Sequence, residues 1–150
     1  MNATLFYFTG TGNTLFVAKT IATTLSEKME VILIPMSGLD LSKPVEVASD
    51  IIGILYPTYF LDAPAIIHRF IEQLKPKDDA YLFLHTNYGG MLGNALYLPY
   101  KRLLAKLPRT IQSGMKYPVI YALHGMGSNE TDIAGLVRGL EEEMIIIAIR

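Results

Sequence analysis

Phe8-Thr9-Gly10-Thr11-Gly12-Asn13-Thr14 follows a short apolar run, Thr4 to Phe8. It opens a helical pattern of Leu15, Ala18, Ile21, Ala22 and Leu25. An apolar strand that breaks into glycines and hydroxyls and re-forms as a helix has the makings of a phosphate cradle. Gly10 and Gly12 let the backbone turn tightly and bring N–H groups close to an anion. Thr9, Thr11 and Thr14 add hydroxyl donors, and the helix start adds free N–H groups and the positive end of its dipole. No lysine stands in the loop and Gly-Lys-Ser/Thr is absent, so it is not the loop of a nucleoside-triphosphate site. Leu15 stands where a third glycine would complete Gly-x-Gly-x-x-Gly, which argues against a dinucleotide fold. Neutral donors suit a monophosphate. The plainer alternative is a strand-to-helix turn with threonine caps.

Outward from this loop, apolar runs alternate with helical patterns. Strands are predicted at Ala3–Phe8, Glu30–Pro35, Ile51–Tyr56, Tyr81–Thr86, Pro118–Leu123 and Met144–Ile149. Most are nearly unbroken Val, Ile, Leu and Tyr, as in a parallel sheet covered on both faces. Helices are predicted at Asn13–Lys28, Ala63–Leu74, Leu92–Leu107 and Glu130–Glu142. Repeated strand–helix–strand units mean right-handed crossovers and a doubly wound α/β sheet in three layers. Ser37–Ala48 is a long connection without an obvious helix. Pro99 should kink or restart the Leu92–Leu107 helical pattern, because it lacks an N–H and clashes with the preceding turn.

The 150 residues form one domain large enough for a full core. Apolar residues make up 51% of the chain and the mean hydropathy is +0.31, in keeping with strands buried on both faces. A net charge of −1 gives no case for nucleic acid or an anionic membrane as partner. No cysteine is present, which excludes disulfides, thiolate catalysis and cysteine-held clusters. No apolar run reaches membrane-spanning length and no basic signal start is seen, so a cytoplasmic protein is expected.

The segment Tyr7-Phe8-Thr9-Gly10-Thr11-Gly12-Asn13-Thr14-Leu15-Phe16-Val17-Ala18 resembles flavodoxin-like domains, and its centre looks like the FMN-phosphate loop of flavodoxins. The likeness continues at Ile54-Leu55-Tyr56-Pro57-Thr58-Tyr59-Phe60 and at Asn87-Tyr88-Gly89-Gly90-Met91-Leu92-Gly93-Asn94, over about residues 1–110. It implies the strand order 2-1-3-4-5, with FMN outside the C-terminal strand ends near strands one and three. By resemblance, Thr9, Gly10, Thr11, Gly12, Asn13 and Thr14 hold the phosphate. Pro57, Thr58, Tyr59, Phe60, Asn87, Tyr88, Gly89 and Gly90 line the ring. Tyr59, Phe60 and Tyr88 can stack on an isoalloxazine, and Gly89 and Gly90 let the main chain approach it. The aromatics also read as core filler at strand ends, and the glycine pair as a plain turn. A redox protein is the implied partner. Flavodoxins are usually strongly acidic around the flavin, so a net charge of −1 implies weak charge steering unless acids cluster locally. His85, at the end of a buried strand, reads as a satisfied core histidine, and His68 as a surface residue on a helix.

The last segment departs from this pattern. Tyr117-Pro118-Val119-Ile120-Tyr121-Ala122-Leu123-His124-Gly125-Met126-Gly127-Ser128-Asn129 resembles the oxyanion-loop region of α/β-hydrolase esterases, over about residues 115–150. In that family glycines let a backbone N–H face a developing oxyanion, here near Gly125 and Met126. Gly-x-Ser-x-Gly is absent from the chain, so there is no nucleophile elbow. Ser128 or Asn129 reads as a helix cap. The chain therefore reads as a composite, a chimera joined between Leu104 and Lys116 and carrying an extra C-terminal strand. Three functions follow: an FMN-binding electron carrier, an esterase that lacks its nucleophile, or a recombined scaffold without activity. Met144–Ile149 at a sheet edge could pair with a second copy as a homodimer.

Overall fold

The computed structural model describes residues 1–106 throughout and, beyond them, the backbone of 119–123 and 145–149. Six strands form one parallel sheet: β1 (Asn2–Tyr7), β2 (Glu30–Pro35), β4 (Ile51–Pro57), β6 (Tyr81–Asn87), β7 (Val119–Leu123) and β8 (Ile145–Ile149). Their order is β2-β1-β4-β6-β7-β8. Counted along these six strands alone, that is 2-1-3-4-5-6, the expected order with the extra C-terminal strand on its edge. The register runs Leu5 beside Leu33 and Gly53, Ile54 beside Leu84, and Val119 beside Ile145.

Helix α1 (Asn13–Ser26) covers one face of the sheet, while α2 (Ala65–Gln73) and α3 (Tyr97–Leu104) cover the other. Alternation along the strands divides the side chains. Leu5 and Leu55 pack with Ala18 of α1. Phe6, Ile52, Ile54 and Tyr56 pack with Ile67, Phe70 and Ile71 of α2 and Leu103 of α3. The Phe6 and Phe70 rings sit 4.7 Å apart at 44°. Burying each such side chain contributes about 1.5–3 kcal/mol. At the opposite end from the β1–α1 loop, Asn2 and Asp50 exchange two backbone-to-side-chain hydrogen bonds of 2.8 and 3.0 Å. Lys77 pairs with Asp50, and its hydrogen bond holds that carboxyl below the usual range.

Three expectations change. The Ser37–Ala48 connection holds a 3₁₀ turn, Met36–Gly38, and a short strand, β3 (Val45–Val47). That strand pairs in parallel with β5 (Leu74–Pro76) in a separate two-stranded sheet. The predicted Ala63–Leu74 helix loses both ends accordingly: Pro64 stands before its first turn and Leu74 leaves it as strand. The helix predicted from Leu92 begins at Tyr97, so that Pro99 stands in its first turn, where proline is tolerated. The His124–Asn129 loop, the predicted Glu130–Glu142 helix and most of the expected junction lie outside the described residues. Among the described residues no helix is long and apolar enough to cross a membrane.

Candidate functional site

β1, β4 and β6 are parallel neighbours, so the loops leaving their C-terminal ends lie side by side. The ladder continues past the strands: Phe8 N–H donates to Leu55 O at 2.9 Å, and Thr58 N–H donates to Asn87 O at 2.9 Å. These bonds fix where each loop departs.

In the first loop, Gly12 is left-handed with φ 95° and ψ −18°, a conformation that side-chain-bearing residues avoid. It is the cap residue of α1 and gives no side-chain cap. The first N–H groups of α1 therefore point outward without an intrahelical acceptor. Gly12 N–H itself donates to Thr9 Oγ1 at 3.0 Å, which closes the loop and leaves the Thr9 hydroxyl proton free. Thr14 is buried, and its hydroxyl donates to Asn87 Oδ1 at 2.6 Å. That bond ties the first turn of α1 to the end of β6. Gly10, Thr11 and Asn13 are exposed around the cradle.

The second loop folds back over the first. Tyr59 meets the Phe8 ring edge-on, with centroids 6.2 Å apart at 84°. Its hydroxyl occupies the space a side chain at Gly10 would need. Thr58 Oγ1 lies 3.0 Å from Thr86 Oγ1. Tyr59 and Asp62 then exchange two backbone hydrogen bonds of 2.8 and 3.0 Å. Phe60 and Leu61 between them have φ of 50° and 66°. Two successive positive φ values make a type I′ turn, normally built from glycine or asparagine. Here two bulky residues hold it, and Phe60 is fully exposed at its tip.

The third loop places its residues differently from one another. Tyr88 is half-buried and packs against the α2–α3 core, its hydroxyl buried without a partner. Gly89 and Gly90 are exposed, with open space around each. Of the three expected stacking residues, Tyr59 and Phe60 are thus open to a ligand, and Tyr88 leans on the core. Further along, Gly93 and Asn94 press on the second loop, where Asn94 N–H donates to Leu61 O at 2.7 Å. Gly93 and Asn94 end the third segment that carries the resemblance and Leu61 follows the second, but sequence grounds give none of them a site role; the Gly-Asn pair is a turn signal inside a segment otherwise helical in pattern.

Both histidines differ from expectation. His68 on α2 is mostly buried, its Nε2 3.5 Å from Asp62 Oδ1, which also accepts the Ala63 N–H at 2.7 Å. His85 is buried on the same sheet face as Asn87, and its Nε2 has no partner. Burial pulls its pKa down to about 4, so it is neutral at pH 7. Beneath the second loop, Tyr56 is wholly buried and donates to Ala95 O at 2.8 Å. Burial, and secondarily the Asp62 charge, push its phenol well above the usual range.

Among solved structures, a flavodoxin from the domain Archaea is similar to this chain, with a TM-score of 0.56, 18% sequence identity and 92% of each chain covered. The chain has a flavodoxin-like fold. No family model matches its sequence, and no curated protein matches it. In this flavodoxin-like sheet, the three loops described above leave the C-terminal ends of neighbouring strands, the side on which open α/β sheets bind ligands.

Proposed function

We propose that the chain is a cytoplasmic FMN-binding electron carrier that hands electrons to a protein partner. The observation that carries this reading is the first loop: a left-handed Gly12, an α1 start without a side-chain cap, and threonine hydroxyls around it. The residues fit a flavin monophosphate. Backbone N–H groups of Asn13 and Thr14, with the Thr9 and Thr11 hydroxyls, supply neutral donors to a phosphate. The Thr14 hydroxyl proton is committed to Asn87, so Thr14 offers a phosphate its backbone N–H. Tyr59 and Phe60 offer exposed aromatic faces beside that loop. Pro57, Thr58, Asn87, Tyr88, Gly89 and Gly90 complete the wall. Bound FMN supplies reversible electron transfer; the chain holds it, orients it and limits its contact with water. Exposed Phe60, Leu61 and Met91 border this region and give a protein partner an apolar surface to meet.

The test is reconstitution. The purified chain is mixed with FMN, freed of excess by gel filtration and scanned in the visible. Flavin bands that travel with the protein and bleach reversibly on reduction support the reading, and a colourless protein overturns it. The same proposal includes a second copy pairing along β8, the edge strand of the sheet. Light scattering then reports a dimer; a monomer at high concentration contradicts that part alone.

A further inference from the structure

We infer that Gly93 and Asn94 are positioning residues for the Tyr59–Asp62 turn, a latch that holds the exposed Phe60 where a bound ring would meet it. The inference rests on the FMN reading for its purpose and on geometry for its existence. Phe60 and Leu61 both carry positive φ, which neither side chain favours. Such strain persists only where surrounding contacts over-determine it. Two bonds between Tyr59 and Asp62 close the turn from within. From outside, Asn94 N–H holds the Leu61 carbonyl at 2.7 Å. Gly93 sits against the same residue: a side chain there would collide with the Leu61 carbonyl oxygen and Cβ, and would stand 2.7 Å from its Cα. Gly93 is itself left-handed, with φ 57°. Glycine is therefore required at 93 twice over, by its own backbone and by the turn it touches. The second and third loops move as one body, because the turn cannot relax without breaking the bond to Asn94.

Two measurements test the latch. In the wild-type protein, hydrogen exchange at the Asn94 and Asp62 amides is expected to agree within about threefold, because one opening releases both. Rates that differ by more than about tenfold show separate openings and overturn the latch. In Gly93→Ala, Asp62 exchange is expected to accelerate by about tenfold or more. FMN affinity is expected to fall about tenfold as the turn leaves its ring-facing shape. Gly38→Ala, where an added methyl meets nothing, serves as the control with unchanged FMN affinity. Faster exchange in Gly93→Ala with FMN affinity kept within about twofold overturns the positioning role. If the variant does not fold, the wild-type exchange rates decide. If the wild-type chain binds no FMN, the cofactor reading fails, and the exchange rates still judge the latch.

Discussion

The Thr14 hydroxyl donates to the Asn87 side-chain oxygen at 2.6 Å, joining two residues 73 positions apart in the chain. The bond docks the first turn of α1 on the end of β6 and holds the first and third loops together. Thr14→Val keeps the volume but leaves the Asn87 oxygen without its donor. Equilibrium unfolding in urea is expected to show a loss of about 1–2 kcal/mol. Thr11→Ala combined with Thr14→Ala also takes the Thr11 hydroxyl from the proposed phosphate site and frees the first turn of α1 from Asn87. It is expected to weaken FMN binding by about 1.5–3 kcal/mol; affinity kept within about twofold counts against the phosphate assignment.

Pro99 has no N–H to give the Ala95 carbonyl four residues before it, and Tyr56 makes that bond instead at 2.8 Å. Tyr56→Phe should therefore cost about 1–3 kcal/mol, because it leaves a carbonyl unpaired in the core. Pro99→Ala restores a backbone donor and should reduce that cost. A double-mutant cycle on unfolding free energies measures the coupling; additive effects contradict the pairing.

His85 carries a pH dependence with a definite sign. Its folded pKa lies at about 4, below the ordinary value of 6.5, because burial disfavours the cation. Between those values the unfolded chain binds the extra proton and the folded chain does not. Stability is therefore complete above pH 6.5 and falls as the pH drops toward 4. Between pH 7 and pH 5 the loss should be about 2 kcal/mol. Denaturation of wild type and His85→Leu at both pH values isolates it: the variant should lack this part of the slope.

Gly12 has no neighbour within 4 Å of an added Cβ, so its requirement is conformational alone. Gly12→Ala is expected to cost about 1–2 kcal/mol through the left-handed backbone. Urea unfolding checks it, and an unchanged midpoint would place no such demand on residue 12.

The sheet was legible in the sequence because its strands are long and apolar on both faces. Glu30–Pro35 was read to its observed ends, and Ile51–Tyr56 and Tyr81–Thr86 each fall one residue short. The break between β1 and α1 was legible because Gly10, Thr11 and Gly12 interrupt apolar periodicity at a strand end. Strands β3 and β5 were hidden: three residues carry no readable period, and Leu74 continued the helical pattern of α2. The turn at Phe60–Leu61 was hidden for a different reason. Its residues contradict the local preference for glycine or asparagine, and the contacts that hold it from outside come from Gly93 and Asn94, distant in sequence. His68 and Asp62 likewise meet only once α2 follows Pro64.

The most direct test is a titration of the chain with FMN and, in parallel, with riboflavin, followed by quenching of flavin fluorescence. If the loop from Phe8 to Thr14 holds a phosphate, FMN binds saturably at one site and riboflavin binds at least about tenfold more weakly, since it forgoes those charge-assisted bonds. Equal affinity for the two flavins, or no quenching by FMN, would contradict a phosphate-binding flavin site in this fold.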